Sequence, residues 1–248
     1  MSMRVSEILQ TTRRKMQGKW SVAIGVTVMV TLITMIVPNT ITPNFGTMEF
    51  WADFLWLFLV SLPLAMGSMW LFLDMHDGRD VEPRHVFDIF RDYSRVVGAV
   101  LWKYLLIFGW FLLFIIPGII AMIRYSQMEF LMKDDPKLTG QEAINKSKEM
   151  MHRNKARYFG LYLRIFWPAI LGVAVGVFMM MDAAAGGHMV GGMIYIDPDQ
   201  ASRAQLVSLV SVAALHLLNA YANAAFAVFY RDLKQVEEEA WNDQTFQN

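Results

Sequence analysis

Apolar residues gather in six long stretches along this chain, at 20–37, 50–73, 97–116, 118 to about 132, 159–181 and 204–229. A helix rises 1.5 Å per residue, so about 20 apolar residues cover a hydrocarbon core of about 30 Å. Five of the stretches approach that length. The fourth is shorter, about 22 Å, and reads as a short or partly re-entrant helix. No soluble domain fits between them. The pattern predicts an all-α fold: a multi-pass transmembrane helical bundle of about six membrane segments, with amphipathic helices on its cytoplasmic side. Residues 1–230 then form a single integral-membrane domain and 231–248 a short polar cytoplasmic tail.

The third and fourth stretches are separated only by Pro117 and Gly118 in FLLFIIPGIIAMIRYSQMEF. Proline removes a helical N–H and glycine accepts the backbone angles of a tight reversal, so the pair reads as the break of a helical hairpin. A single kinked crossing is the alternative. Charge discriminates between them, because Lys and Arg in short loops mark the cytoplasmic side. Eighteen of the 22 basic residues fall before residue 20, in 74–95, in 133–157 or after 229. Only Arg203 lies in 182–203, and none lies in 38–49. With a hairpin all four basic segments and both termini are inside; with a single crossing the most basic segment is outside.

Two of the basic segments carry helical periodicity of their own. Pro83 suits a first turn, and Val86, Phe87, Ile89, Phe90, Tyr93 and Val97 recur on one side. Thr139 and Glu142 have capping-box spacing, followed by Ala143, Ile144, Ser147, Met150 and Met151. Lys146, Lys148, Arg153, Lys155 and Arg157 make the remainder of that segment basic, which suits an anionic lipid surface. A helix packed on the inner end of the bundle has the same pattern.

Composition agrees with the hydropathy. Hydrophobic residues make up 55% and charged residues 18% of the chain, below the quarter or so usual for soluble domains. A net charge of zero argues against a nucleic-acid partner. With no cysteine there is no disulfide and no thiolate chemistry. The first apolar run is long for a signal peptide and lacks a small-residue cleavage signal, so it reads as an uncleaved anchor.

The stretch LLFIIPGIIAMIRYSQMEFLMKDDPKLTGQEAINKSKEMM, followed by NKARYFGLYL, resembles a bacterial integral-membrane family, the domain of unknown function 975. The Ile-Pro-Gly-Ile turn at 116–119, the Arg124-Tyr125-Ser126 step and the Glu-Ala-Ile-x-x-Ser-Lys helix at 142–148 carry the likeness. It extends to GKWSVAIG near the start and YANAAFAVFYRDL near the end. The family is also distantly similar to the membrane part attached to some bacterial glycerophosphodiester phosphodiesterases, but the hydrolase domain is absent here. The resemblance implies a fold and no established activity.

Candidate chemistry is sparse. The loop DMHDGRDVEPRH gathers Asp74, His76, Asp77, Asp80, Glu82 and His85, but without the ligand spacing of a zinc or calcium motif, and reads as a solvated, capped loop. No cofactor, metal or catalytic set is expected. Polar residues inside apolar segments are more telling, because an unpaired charge there is costly. Asp53 and Arg124, about 5 and 9 Å from the outer ends of their helices, are expected to pair. Lys103 and Arg164 sit about 9 Å deep at the inner side, within reach of Glu129. Gln205, Ser208, Ser211, His216, Asn219 and Asn223 form a polar ribbon. Gly172 with Gly176, and Ala220 with Ala224, allow close helix approach within the chain or in a homo-oligomer.

The residues thus point to a non-enzymatic protein of the bacterial cytoplasmic membrane, a scaffold or accessory that engages lipid or a membrane-protein partner through its basic inner face. The alternative is a small carrier or amphiphile-handling transport protein that uses the buried polar residues.

Overall fold

The computed structural model describes residues 2–41, 47–185, 188–190, 193–195 and 198–245. Among them, helix dominates. Helix α1 (Val5–Lys15) is followed by α2 (Trp20–Thr31), a π-helical turn (Leu32–Ile36) and α3 (Val37–Ile41). Next come α4 (Thr47–Trp56), a second π turn (Leu57–Ser61), α5 (Leu62–His76) and a 3-10 helix (Pro83–Asp92). Then follow α6 (Tyr93–Leu113), α7 (Ile115–Arg124), α8 (Met128–Asp134) and α9 (Gly140–Met150). The last helices are α10 (Lys155–Ala185) and α11 (Pro198–Thr245). Between them lies a two-stranded antiparallel hairpin, β1 (His188–Val190) and β2 (Met193–Tyr195), in which Met189 faces Ile194. The hydrophobic pattern had no signal for these strands, because three residues are too few to show a period of two.

Three helical stretches are long and apolar enough to cross a membrane: Phe50–His76, Pro83–Leu113 and Lys155–Met179. A fourth is obtained if Val5–Lys15 and Trp20–Ile36 count as one span, but these two meet at 98°. Gly18 makes that corner with a φ of +76°, a conformation that side chains resist. The expected six segments are not all present as spanning helices. Residues 118–132 are divided between α7 and α8 by a turn at 125–127, and the 10 residues of α7 cover only about 15 Å. The ribbon segment 204–229 belongs to α11, where many side chains, including those of Gln205, Ser208, Ser211 and His216, lie outside the described residues.

The chain does turn back after α6, but not where expected. The break is Phe114, extended at φ −162° and ψ 153°, a conformation open to any residue. Pro117 is the third residue of α7, where its missing N–H is one of the unpaired first-turn donors in any helix. The first bond of α7 comes just after it, from the Gly118 amide to the Phe114 carbonyl at 3.2 Å. Gly118 serves packing: a Cβ there would lie 2.5 Å from the Phe111 ring.

Contacts divide the chain into two units, 1–161 with 220–248 and 162–219. The core of the first joins Met16, Ala23 and Val26 to Leu64, Leu71, Phe72 and Met75, with Ala220 and Ala224. The small Ala-x-x-x-Ala face is thus used within the chain. In the second unit α10 and α11 approach closely, Gly176 lying opposite Val207. The 3-10 helix is packed rather than lying free at a surface. Val86 and Ile89 are fully buried, and the Val86 carbonyl leaves no room for a Cβ at Gly67.

Tyr93 shows what the π turn before α5 requires. Pro63 has no amide to offer the Leu59 carbonyl in α register, and the Tyr93 hydroxyl donates to that carbonyl instead, at 2.7 Å.

Gly118→Val should push α7 off Phe111 and cost about 1–3 kcal/mol, with Phe111→Ala in the same chain recovering most of the loss. Thermal unfolding in detergent reads both variants; a neutral Gly118→Val would remove this contact as a constraint on the hairpin.

Candidate functional site

Charged side chains of the first unit collect where α5, α8 and α11 end or pass one another. Asp74 and Asp77 stand at the C-terminal end of α5, Lys133 and Asp134 at the end of α8, and Tyr230, Arg231 and Lys234 on one side of α11. The Arg231 guanidinium donates to Asp77 from Nε at 2.9 Å and to Asp134 from Nη1 at 2.5 Å. Asp134 accepts further bonds from the Tyr230 hydroxyl at 2.9 Å and the Lys234 ammonium at 2.7 Å. Asp74 pairs with Lys133 at 2.7 Å and Arg79 at 2.5 Å, and Lys133 lies over the Trp70 ring. A second node is Asp232, 4% exposed, which pairs with Arg157 at 2.7 Å and accepts from the Met3 amide at 2.8 Å.

The electrostatics follow from these contacts. Burial pushes the Asp134 carboxyl up, but hydrogen bonds from Arg231, Lys234 and Tyr230 outweigh it and hold it below the usual carboxylate range. Burial likewise raises Asp77, and bonds from Arg231 and His76 bring it down. Tyr230 is pushed up by burial and by the Asp134 charge.

Above this cluster α7, α8 and α9 meet at the turn 125–127. Tyr125, Ser126 and Gln127 are all buried, so the backbone groups freed by the helix break have no water to pair with. Ser147 of α9 replaces it. Its hydroxyl donates to the Arg124 carbonyl at 2.8 Å and accepts from the Gln127 amide at 3.1 Å. Ala143, Ile144 and Ser147 form the buried face that brings α9 there. The capping box forms at its start, with the Thr139 amide donating to Glu142 at 2.8 Å. That backbone bond, and then the Thr139 hydroxyl, hold the Glu142 carboxyl low.

The expected polar network is assembled only in part. Lys103 and Glu129 form a buried ion pair between α6 and α8. Glu129 Oε2 and Gln127 Oε1 are buried without a hydrogen-bond partner. The pair expected between Asp53 and Arg124 is absent: Asp53 is exposed and Arg124 half-buried, and neither makes an ion pair among the described residues. The reason is the reversal at Phe114, which sets Arg124 at the far end of α7, about 15 Å from the hairpin tip and beside α9 rather than about 9 Å from it. Arg164 and Asn219, both in the second unit, are exposed, and Asn223 is half-buried.

The basic segment is not uniformly available to lipid. Lys146 and Arg153 are exposed and Lys155 half-buried. Lys148 leans over the Tyr125 ring. Arg157 is committed to Asp232 and to the face of Phe229. Of the segment 231–248, residues up to Thr245 continue α11, and the first of them carry these ion pairs. Among the described residues no group of three or more His, Asp or Glu is arranged to hold a metal.

A family model described as "Protein of unknown function (DUF975)" matches residues 93–237, more than half of the chain. The chain belongs to that family. No curated protein and no solved structure matches it. The DUF975 match takes in the hairpin, the Ser147 contact and the Asp134–Arg231 pair; the early stretch GKWSVAIG and the Asp74 and Asp77 partners lie before it.

Sequence reasoning passed over Tyr230 as the last residue of the membrane domain and Arg231 and Asp232 as the start of a tail. Their signal was position: Arg and Asp on successive residues directly after an apolar run, in the same helical register.

Ser147→Ala should leave two buried backbone groups unpaired and lower stability by about 2 kcal/mol, against a few tenths at most for exposed Lys146→Ala. Equal thermal shifts in detergent would refute the bridging role. The depressed values of Asp77 and Asp134 add a pH dependence. A carboxylate whose folded value is lowered contributes stability above its unfolded value of about 4, and that contribution is lost as pH falls through the folded value. Melting temperature should be level from about pH 7 to 5 and drop below about 4. Asp134→Asn should lower neutral-pH stability by about 2–4 kcal/mol and shrink the acid drop; an unchanged acid limb would place the titration elsewhere.

Proposed function

We propose that this chain is a non-enzymatic, multi-pass protein of the bacterial cytoplasmic membrane, a scaffold or accessory that engages lipid or a membrane-protein partner. Both termini, 74–95 and 133–157 face the cytoplasm in this reading, with 38–49 and 182–203 outside.

One observation carries the orientation: the four basic segments are bound to one another. Lys15 and Lys19 donate to the carbonyls of His76 and Met75 at 3.1 and 2.9 Å. Arg231 joins 77 to 134, and Arg157 joins 232 to the N-terminal segment. Segments that share ion pairs share a side of the membrane, and their charge makes that side the inner one. The outward surface supports the membrane reading. Leu112, Phe114, Ile115 and Ile116 at the hairpin tip are each at least 70% exposed, a patch that water disfavours and lipid accepts.

A non-catalytic role is supported by how the acids are used. Asp74, Asp77, Asp134, Asp232 and Glu129 are each committed to a cation, so none is poised as a base. The carrier reading rests on Glu129 Oε2 and Gln127 Oε1, buried acceptors without partners that a proton or solute could occupy.

The absence of cysteine makes a direct test clean. A single cysteine at Lys146 should react with a membrane-impermeant maleimide only after the cells are opened, and one at Asn44 should react in intact cells. Labelling of position 146 from outside would overturn the orientation.

A further inference from the structure

The geometry points to a binding site for one anionic phospholipid on α6, with its phosphate between Arg95 and Lys137 and its acyl chains along the exposed face of that helix. The inference rests on the membrane reading above and names the lipid class that the inner face takes.

A groove of about 620 Å³ opens where α6 meets the segment leading into α9, lined by Ser94, Arg95, Gly98, Trp102, Lys137 and Thr139 among others. That volume is in the range that holds a headgroup and glycerol. Its lining carries positive charge, since Arg95 and Lys137 line it and no acid does. Lys137 is exposed and makes no ion pair among the described residues. Arg95 is fixed by the Leu138 carbonyl at 3.2 Å, the Met132 carbonyl at 3.4 Å and Asp92 at 3.3 Å, so it lends the groove wall its positive charge while the Lys137 ammonium is the free donor. The nearby acids are already engaged: Asp92 with Arg95, Asp135 with the Lys137 amide, and Glu142 with Thr139. Trp102 donates its indole N–H to Gln141 at the rim, the placement that tryptophan favours at a membrane interface.

The apolar part is continuous with the groove. Gly98, Leu101, Leu105, Phe108 and Leu112 follow at spacings of three and four residues and all are exposed. They form one stripe about 21 Å long. A single leaflet's hydrocarbon depth is about 15 Å, so a lipid with its phosphate at Arg95 and Lys137 would lay its chains along the stripe from Gly98 to about Phe108. Gly98 forms the floor at the junction, and a side chain added there meets nothing within 4 Å. The open space at Gly98 also means that filling it does not disturb the fold.

Purified protein in nanodiscs of phosphatidylglycerol and of phosphatidylcholine, and in detergent with millimolar inorganic phosphate, separates the possibilities. Phosphatidylglycerol should remain bound through native mass spectrometry and raise the melting temperature; phosphatidylcholine and inorganic phosphate should not. Lys137→Glu should weaken phosphatidylglycerol retention about tenfold. Gly98→Leu should displace the lipid while melting cooperatively and keeping its helical circular dichroism. Equal retention of the two lipids, stabilisation by inorganic phosphate alone, or retention unchanged in both variants would overturn the site. Membrane fractionation of the same cells distinguishes the two failures: protein in the membrane pellet without lipid selectivity refutes only this site, whereas protein recovered in the soluble fraction refutes the membrane reading as well.

Discussion

A helix that ends away from water leaves carbonyls that something must satisfy, and in this chain side chains from other elements do so. Lys15 and Lys19 close the C-terminal end of α5. Arg95 bonds the carbonyls of Met132 near the end of α8 and of Leu138 in the segment after it, Trp70 that of Glu129 in the first turn of α8, and Tyr93 that of Leu59 in the π turn. Ser147 spans both sides of the α7–α8 break. Where the group is buried, as at Glu129 and Gln127, such a bond removes a cost of about 1–3 kcal/mol, and each bond ties together segments that are distant in sequence. Apolar packing alone does not set these positions, because helices in an apolar surround slide and rotate at little cost.

The same device governs the charges. Arginine suits the bridging position at 231 because its planar fork reaches two carboxylates at once, which a lysine ammonium does not do in fixed geometry. Asp77 and Asp134 therefore hold α5 and α8 to the same face of α11. Arg157 does the corresponding work for α10 and the N-terminal segment through Asp232. These contacts withdraw Arg157, Lys133 and Arg231 from the surface. The segment 133–157 holds seven basic residues but offers lipid fewer: Arg157 and Lys133 are turned inward, while Lys137, Lys146 and Arg153 stay exposed.

Much of this was legible before the structure. Long apolar runs marked most of the helices, the capping spacing gave the start of α9, and the distribution of charge along the chain pointed to a reversal after α6. The failures have one cause. Hydropathy reports which residues avoid water, whereas helix breaks are set by backbone satisfaction. Pro117 and Gly118 look like the break, yet a proline in a first turn costs nothing, and the real break at Phe114 needs no special residue. The turn at 125–127 carries no glycine or proline at all; it exists because Ser147, 20 residues beyond Gln127, pairs its open groups. Depth arithmetic then placed Arg124 opposite Asp53 because it counted from Gly118, whereas the chain reverses at Phe114 and Arg124 lies about 15 Å from the tip.

The Lys103–Glu129 pair shows how far such reasoning extends. Both residues are less than 10% exposed, and the carboxylate keeps one oxygen without a partner. Removing two charges from water costs several kcal/mol each, and their attraction repays that only when every lone pair is satisfied. The pair is thus a poor source of net stability. Deleting one member is a different matter, since it strands the other charge in the α6–α8 contact. A pair that is cheap to replace as a unit but expensive to split acts on register: any rotation or slide of α8 along α6 separates the charges and incurs the full penalty. Glu129 also supplies the carbonyl that Trp70 of α5 bonds at 2.8 Å, so fixing its register against α6 fixes α5 as well. Three helices whose apolar faces would tolerate several alignments are held to one by a single residue that the hydropathy of its segment disfavours.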